Sequence, residues 1–119
     1  MPKILLVEDD PDVSKVIQQH LTEIGHSVVA ARGTTDALTA LDAQPAVDLM
    51  LVDLVMPEDQ PDGLAFAVEA KAHSPDTPVI FLTAYYGFVA RAGSLPGVVV
   101  YKPVDLDVLT QEIRTALGN

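Results

Sequence analysis

Three carboxylates, Glu8, Asp9 and Asp10, follow one another directly after the apolar run at residues 4–7. Like charges this close repel and raise one another's pKa, so their concentration at the end of a buried segment needs an explanation. A bound metal cation or a basic partner surface would offset the charge. A charged helix start would also account for the triplet, so both alternatives stand at this point.

Three further polar residues stand where apolar runs end. Asp53 follows residues 49–52, Thr83 follows 79–82, and Lys102 follows 98–101. Taken singly, each has an ordinary explanation, because an aspartate can cap a turn and a threonine or lysine can lie on a surface. Taken together, they add an acid, a hydroxyl and an ammonium to the carboxylates near the N-terminus.

Five short segments read as β-strands, and four of them are apolar throughout. Strands that do not alternate polar and apolar residues are buried on both faces, which is typical of a parallel sheet covered by helices. The predicted strands are 3–7, 28–31, 49–52, 79–82 and 98–101.

Helical spacing of apolar residues fills the segments between these strands. Gly25 is placed to end the first helix, Thr34 or Thr35 to cap the second, and Asp105 to cap the last. The predicted apolar patterns lie at 13–24, 37–41, 64–73 and 106–117, with a short helix expected within 84–94.

Alternating strands and helices predict an α/β fold, a doubly wound five-stranded parallel sheet in the order 2-1-3-4-5 with helices on both faces. In such sheets the functional crevice lies beyond the carboxyl ends of the strands, where the strand order reverses. The carboxylates of residues 8–10, Asp53, Thr83 and Lys102 all follow strand ends. We therefore expect them to converge on one pocket.

Composition narrows the class of protein. The 119 residues indicate one domain, and a hydrophobic content of 49% indicates a packed globule. The absence of cysteine excludes disulfides and zinc–thiolate sites. A net charge of −10 opposes direct nucleic-acid binding, because phosphates attract cations. No apolar run suits a signal peptide or a membrane span, so a cytoplasmic protein is expected.

Four motifs carry a resemblance to a known family. "ILLVEDD", "LMLVDLVMP", "VIFLTA" and "VVVYKP" occur in this order, each at the end of a predicted strand. Together they resemble the receiver domain of two-component response regulators, which has a flavodoxin-like fold. The resemblance covers residues 1–119 as a single receiver domain. A stand-alone receiver and a receiver excised from a longer regulator both remain open.

The resemblance implies a Mg²⁺ site. Asp9 and Asp53 would bind the ion directly together with the backbone carbonyl of Val55, and Glu8 would act through water. Mg²⁺ favours oxygen ligands and keeps several waters, which suits such a set. Asp10 would instead cap the first helix, with Pro11 at its first position.

The resemblance also implies phosphorylation. Asp53 would be the phosphoacceptor, Lys102 would offset charge on the transferred phosphoryl group, and Thr83 would hydrogen-bond to it. Lys102-Pro103 resembles a Lys-Pro pair that is cis in the family. The expected donor is a sensor histidine kinase or a histidine phosphotransfer protein, and the expected output is docking on a downstream protein target. The resemblance further implies that the protein is not an enzyme and catalyses only its own phosphorylation and slow autodephosphorylation.

Several positions depart from the family pattern. The segment from Asp53 to Gly63 is two residues longer than usual, and the segment from Thr83 to Lys102 is three residues shorter. Val99 stands where many receivers carry a switching aromatic residue, and Tyr101 is expected to face the other side of the sheet. "FLTAYY" is similar to a receiver subgroup with a Phe-Ala-Thr-Gly-x-Tyr motif, although Leu82 and Ala84 depart from it.

Two other classes compete with this interpretation. A dehalogenase-type phosphatase also uses an aspartate after a buried strand, but it needs a second aspartate two residues later, where this chain has Val55. A docking module that works without phosphorylation is the other alternative. The presence of Asp9, Asp53, Thr83 and Lys102 opposes it.

Overall fold

The sheet has five strands, all parallel, in the order β2-β1-β3-β4-β5. The computed structural model describes residues 1–43, 47–55, 62–84 and 97–118. The observed order confirms the predicted doubly wound fold, and the predicted strand ends are correct to within one residue. The strands are β1 Lys3–Val7, β2 Ser27–Ala31, β3 Leu49–Asp53, β4 Val79–Thr83 and β5 Val98–Tyr101.

Four helices lie in the described parts of the chain: α1 Pro11–Glu23, α2 Thr34–Ala43, α3 Gly63–His73 and α4 Leu106–Ala116. The Asp10 side chain accepts hydrogen bonds from the first turn of α1, and Asp105 does the same for α4. Gly25 has a φ of 98°, a left-handed conformation that glycine adopts without strain. The predicted roles of Asp10, Gly25 and Asp105 are therefore confirmed. The predicted cap at Thr34 or Thr35 is not, because Thr34 is the first residue of α2 and Gly33 precedes it. The short helix expected within 84–94 lies outside the described residues except at Ala84.

Alternate residues of the central strands enter two separate cores. Leu5, Val52 and Phe81 belong to the core that contains apolar residues of α2 and α3. Leu6 and Leu51 belong to the opposite core, which contains apolar residues of α1 and α4. The central strands are thus covered on both faces, as their continuous apolar sequences predict.

The two edge strands are less covered than their sequences suggest. Ala30 in β2 and Val98 in β5 are exposed, whereas every residue of β3 and β4 is buried. An edge strand has a neighbour on one side only, so apolar composition alone does not separate it from a central strand.

The expectation for Tyr101 was wrong. Val99 pairs with Phe81 and Tyr101 pairs with Thr83 in the parallel register of β4 and β5. Val99 packs against the core of α2 and α3, and residues two positions apart on a strand share a face. Tyr101 therefore lies on the same face as Val99, two residues nearer the carboxyl end of the sheet.

Within the described ranges, no helix combines the length and the apolar character that crossing a membrane requires.

Neighbouring residues of α1 give a direct test of this packing. Ile17 is 1% exposed and lies in the core against α4, whereas Val16 is 54% exposed. We expect Ile17→Ala to lower the free energy of unfolding by about 2–5 kcal/mol, because it removes buried methyl groups and leaves a cavity. Val16→Ala should change it by less than about 0.5 kcal/mol. Urea denaturation of both variants measures the difference, and equal effects would contradict the assigned burial.

Candidate functional site

A cavity of about 360 Å³ opens at the carboxyl ends of the strands. It lies where the loops after β1, β3, β4 and β5 meet, which is the position predicted from the strand order. Thr83 is fully buried at the end of β4, next to the lining residue Ala84. The cavity is lined by Glu8, Asp9, Asp10, Asp53, Val55, Ala84 and Lys102.

Three carboxylates form a cluster in this cavity. Glu8, Asp9 and Asp53 each present one oxygen, and these oxygens lie within 4.8 Å of one another. Glu8 and Asp53 are buried, with 1% and 5% exposure, and Asp9 is exposed. Hard oxygen ligands of this kind, open to solvent on one side, fit Mg²⁺, which is bound by few carboxylates and several waters.

The Lys102 ammonium forms ion pairs with two of these carboxylates, Glu8 and Asp53. Its Nζ lies 2.9 Å from Asp53 Oδ2 and 3.0 Å from Glu8 Oε2. Burial alone would lower the pKa of Lys102, but the hydrogen bonds to Asp53 and Glu8 outweigh burial and raise it. Lys102 is therefore a permanent positive charge in the pocket. The ion pair with Glu8 was not anticipated from the sequence, because only the fold brings β1 and β5 residues into contact.

Burial dominates the electrostatics of Glu8. The pKa of the Glu8 carboxyl is raised from 4.5 to about 7, with burial as the largest cause and the nearby Asp53 charge acting in the same direction. The hydrogen bond from Lys102 and the hydrogen bond from the backbone N–H of Asp10 act in the opposite direction. Glu8 thus changes its protonation near neutral pH, where a metal cation would favour the ionised form.

Backbone hydrogen bonds hold Asp53 from both sides. Its Oδ1 accepts from the N–H of Val55 at 3.1 Å, and the N–H of Leu54 donates to the carbonyl of Leu82 at 3.0 Å. The turn after β3 is thereby attached to β4. With Oδ2 paired to Lys102, the carboxylate has a defined orientation, and it faces the cavity beside Asp9.

Main-chain contacts also join β4 to the loop after β5. The N–H of Lys102 donates to the carbonyl of Thr83 at 2.8 Å, so these two residues lie side by side. The Lys102-Pro103 peptide is cis, as the resemblance implied. Asp10, by contrast, uses its side chain to cap α1, which agrees with its predicted role.

Comparison with known protein families identifies a match over residues 4–114 to the response regulator receiver domain. The transcriptional regulatory protein GlrR of Escherichia coli strain K12 is 40% identical over 117 residues. That alignment covers 96% of this chain but 26% of GlrR, so the chain spans about a quarter of that relative. The response regulator receiver protein CpdR of Brucella abortus is 32% identical over 120 residues, covering 98% of each chain.

Solved structures give the same answer for the fold. The response regulator protein TrrA of Thermotoga maritima, in complex with Mg²⁺-BeF, superposes with a TM-score of 0.88 at 28% identity, covering 98% of this chain and 100% of TrrA. The receiver domain of NtrX from Brucella abortus has a TM-score of 0.84 at 26% identity, covering 98% of each chain.

The raised pKa of Glu8 predicts a pH dependence of stability in metal-free protein. The native state keeps the Glu8 proton up to pH about 7, whereas the unfolded chain releases it near pH 4.5. The native state therefore binds more protons in this window, and the free energy of unfolding should fall as pH rises through it, by about 1–3 kcal/mol. Urea denaturation at several pH values measures the slope.

Glu8→Gln should flatten that slope, because the amide does not titrate. Glu23→Gln, which removes an exposed carboxylate at the end of α1, is the matched control and should leave the slope unchanged. A slope that persists in Glu8→Gln would show that another group is responsible.

Proposed function

The chain belongs to the response regulator receiver domain family, and from this membership we propose that it is a phosphoacceptor signalling protein that is phosphorylated on Asp53. One observation carries the proposal. The Asp53 carboxylate is buried at the end of β3, paired with Lys102 and beside two further carboxylates. A nucleophilic carboxylate next to a fixed ammonium and a cation site is the arrangement that phosphoryl transfer to an acid requires.

In the proposed step, a carboxylate oxygen of Asp53 attacks the phosphorus of a phosphohistidine on the donor protein. The phosphorus–nitrogen bond breaks, and its electron pair returns to the imidazole. The product is an aspartyl phosphate on this chain. The Lys102 ammonium, already 2.9 Å from Asp53 Oδ2, lies close enough to pair with the new phosphoryl oxygens and offset their charge.

The proposed metal ligands are Asp9, Asp53 and the backbone carbonyl of Val55, with Glu8 acting through water. The cluster of carboxylate oxygens within 4.8 Å and the Val55 wall of the cavity support this set. When bound, Mg²⁺ would supply positive charge that offsets both the clustered acids and the transferred phosphoryl group.

Thr83 is proposed to hydrogen-bond to the phosphoryl group. It ends β4 next to the strand that carries Asp53, and its carbonyl accepts from the N–H of Lys102. Its small neighbour Ala84 lines the cavity and leaves space for the phosphoryl group.

The proposed partners are a sensor histidine kinase or histidine phosphotransfer protein as donor and a downstream protein as target. GlrR is named as a transcriptional regulator, but this chain matches 26% of it, so no DNA-binding activity follows for this chain. A net charge of −10 favours basic protein surfaces over nucleic acid as direct partners. Catalysis is limited in this proposal to the chain's own phosphorylation and slow dephosphorylation.

Incubation with acetyl phosphate and Mg²⁺, followed by intact-protein mass spectrometry, tests the proposal. A stable adduct of one phosphoryl group supports a receiver. Steady phosphate release without an adduct would indicate a hydrolase. If neither an adduct nor phosphate release is observed, the phosphorylation-independent docking module is the better explanation.

Asp53→Asn should abolish the adduct, because the amide is nearly the same size and is a poor nucleophile. The variant should keep its fold by circular dichroism. Asp76→Asn, which alters an exposed aspartate between α3 and β4, is the control and should be phosphorylated like the wild type. An undiminished adduct in Asp53→Asn would refute the assignment of the acceptor.

Mg²⁺ should raise the thermal midpoint, because a ligand that binds only the folded state stabilises it. At a Mg²⁺ concentration ten times the dissociation constant the gain is about 1.4 kcal/mol. The gain should be larger at pH 7.5 than at pH 5, since Glu8 holds a proton below about 7. Thermal melts with and without Mg²⁺ measure it, and Asp9→Ala should reduce the shift. Equal wild-type midpoints would count against a metal site.

The phosphorylated state should be long-lived. Hydrolysis needs a water aligned with the Asp53 phosphoryl bond, and the side chain of Val55, which is 53% exposed on the cavity wall, cannot hydrogen-bond to it. In receivers that lose the phosphoryl group quickly, polar side chains two residues after the aspartate and two after the threonine help to place this water; the second position here is Tyr85, which lies outside the described residues. The lack of contacts that position the water at these two residues should slow hydrolysis of the aspartyl phosphate about ten- to a hundredfold. The adduct is followed over time in the wild type and in Val55→Asn/Tyr85→Glu, which should lose it faster; an equal rate would exclude these positions.

A further inference from the structure

Helix α3 begins in direct contact with the backbone of Asp53. The N–H of Gly63, the first residue of α3, donates to the carbonyl of Leu54 at 3.0 Å. A Cβ atom at position 63 would overlap the carbonyl oxygen of Asp53 and would lie 2.8 Å from the Cα of Leu54. No side chain fits between these two stretches of backbone, so their approach depends on glycine.

This contact completes the support of the turn after β3. On the side of the sheet, the N–H of Leu54 is bonded to the carbonyl of Leu82 in β4. On the other side, the start of α3 lies against the peptide that joins Asp53 to Leu54. The backbone that carries the Asp53 side chain is therefore held between a strand and a helix.

We propose that Gly63 is a positioning residue for Asp53, an inference that rests on the proposed function. Its lack of a side chain lets α3 fix the Asp53–Leu54 peptide, and this sets where the Asp53 and Val55 oxygens lie in the cavity. Reaction rates and metal affinities fall steeply with displacements of about 1 Å. A methyl group at position 63 would push the Asp53 peptide away from α3 and displace both groups.

If Gly63 had only a structural role, Gly63→Ala would lower stability without a specific effect on the site. A comparison with Gly97 separates this alternative from a positioning role. A Cβ at position 97 would overlap the carbonyl oxygen of Val79 and would lie 3.3 Å from Cε2 of Phe81. The steric conflict is similar in kind, but it falls at the start of β4, at the opposite end of the sheet from Asp53. Gly97→Ala is therefore a control for loss of stability without loss of site geometry.

The experiment compares the wild type, Gly63→Ala and Gly97→Ala. Urea denaturation gives the stability, calorimetric titration gives the Mg²⁺ affinity, and mass spectrometry gives the rate of adduct formation from acetyl phosphate. We expect both variants to lose stability. Gly63→Ala alone should also bind Mg²⁺ about tenfold more weakly or worse and form the adduct at least as much more slowly. Wild-type affinity and rate in Gly63→Ala, or equal losses in both variants, would overturn the inference.

A second pair of variants decides the question if Gly63→Ala does not fold. Asp62 caps α3 by accepting a hydrogen bond from the N–H of Ala65 at 2.8 Å. Asp62→Asn and Asp62→Ala remove the same charge, but asparagine can still cap the helix and alanine cannot. Loosening the start of α3 should make Mg²⁺ affinity about two- to threefold lower in Asp62→Ala than in Asp62→Asn. Equal affinities would overturn the inference.

The wild type separates this inference from the proposed function. A wild-type protein that binds no Mg²⁺ and forms no adduct would refute the proposed function and, with it, the role of Gly63. A wild-type protein that does both, with Gly63→Ala unchanged, would refute the role of Gly63 alone.

Discussion

The ion pairs of Lys102 with Glu8 and Asp53 are the interaction on which the site depends. Two carboxylates buried side by side repel each other and lose hydration, so without a cation one of them would take up a proton. The single ammonium, 2.9 Å and 3.0 Å from its two partners, offsets part of that cost. It also joins the ends of β1, β3 and β5, which are far apart in the chain.

The same arrangement leaves the pocket short of positive charge. Among the described residues, one ammonium faces three carboxylates in this pocket, and the pKa of Glu8 stays raised to about 7 despite its contact with Lys102. A divalent cation bound in this pocket would therefore stabilise it. In the proposed function, the Lys102 ammonium beside Asp53 also offsets the negative charge that a phosphoryl group brings. The repulsion among the clustered carboxylates and the proposed function of the pocket thus have one cause.

Backbone contacts from three segments support Asp53 and the turn that follows it. Asp53 is held by Val55, by β4 and by the start of α3, all through the backbone. The contacts from Val55 and β4 are made by main-chain atoms and do not depend on side-chain identity, whereas the approach of α3 requires glycine at position 63. Farther from Asp53, Val99 pairs with Phe81 and Tyr101 pairs with Thr83, so Val99 and Tyr101 lie on the same face of β5.

Local patterns in the sequence were sufficient for the strands, for the described helices and for the caps at Asp10 and Asp105, because each depends on residues within one turn or one run. The strand order followed from general rules of chain connection, and that order was enough to predict which residues would meet in the pocket. The exposure of β2 and β5 residues and the pairing of Lys102 with Glu8 could not be predicted this way. The raised pKa of Glu8 and the close contact of Gly63 with the Asp53 backbone could not be predicted from the sequence either. Each depends on distances between segments that are remote in the chain, and only the packed tertiary structure decides those distances.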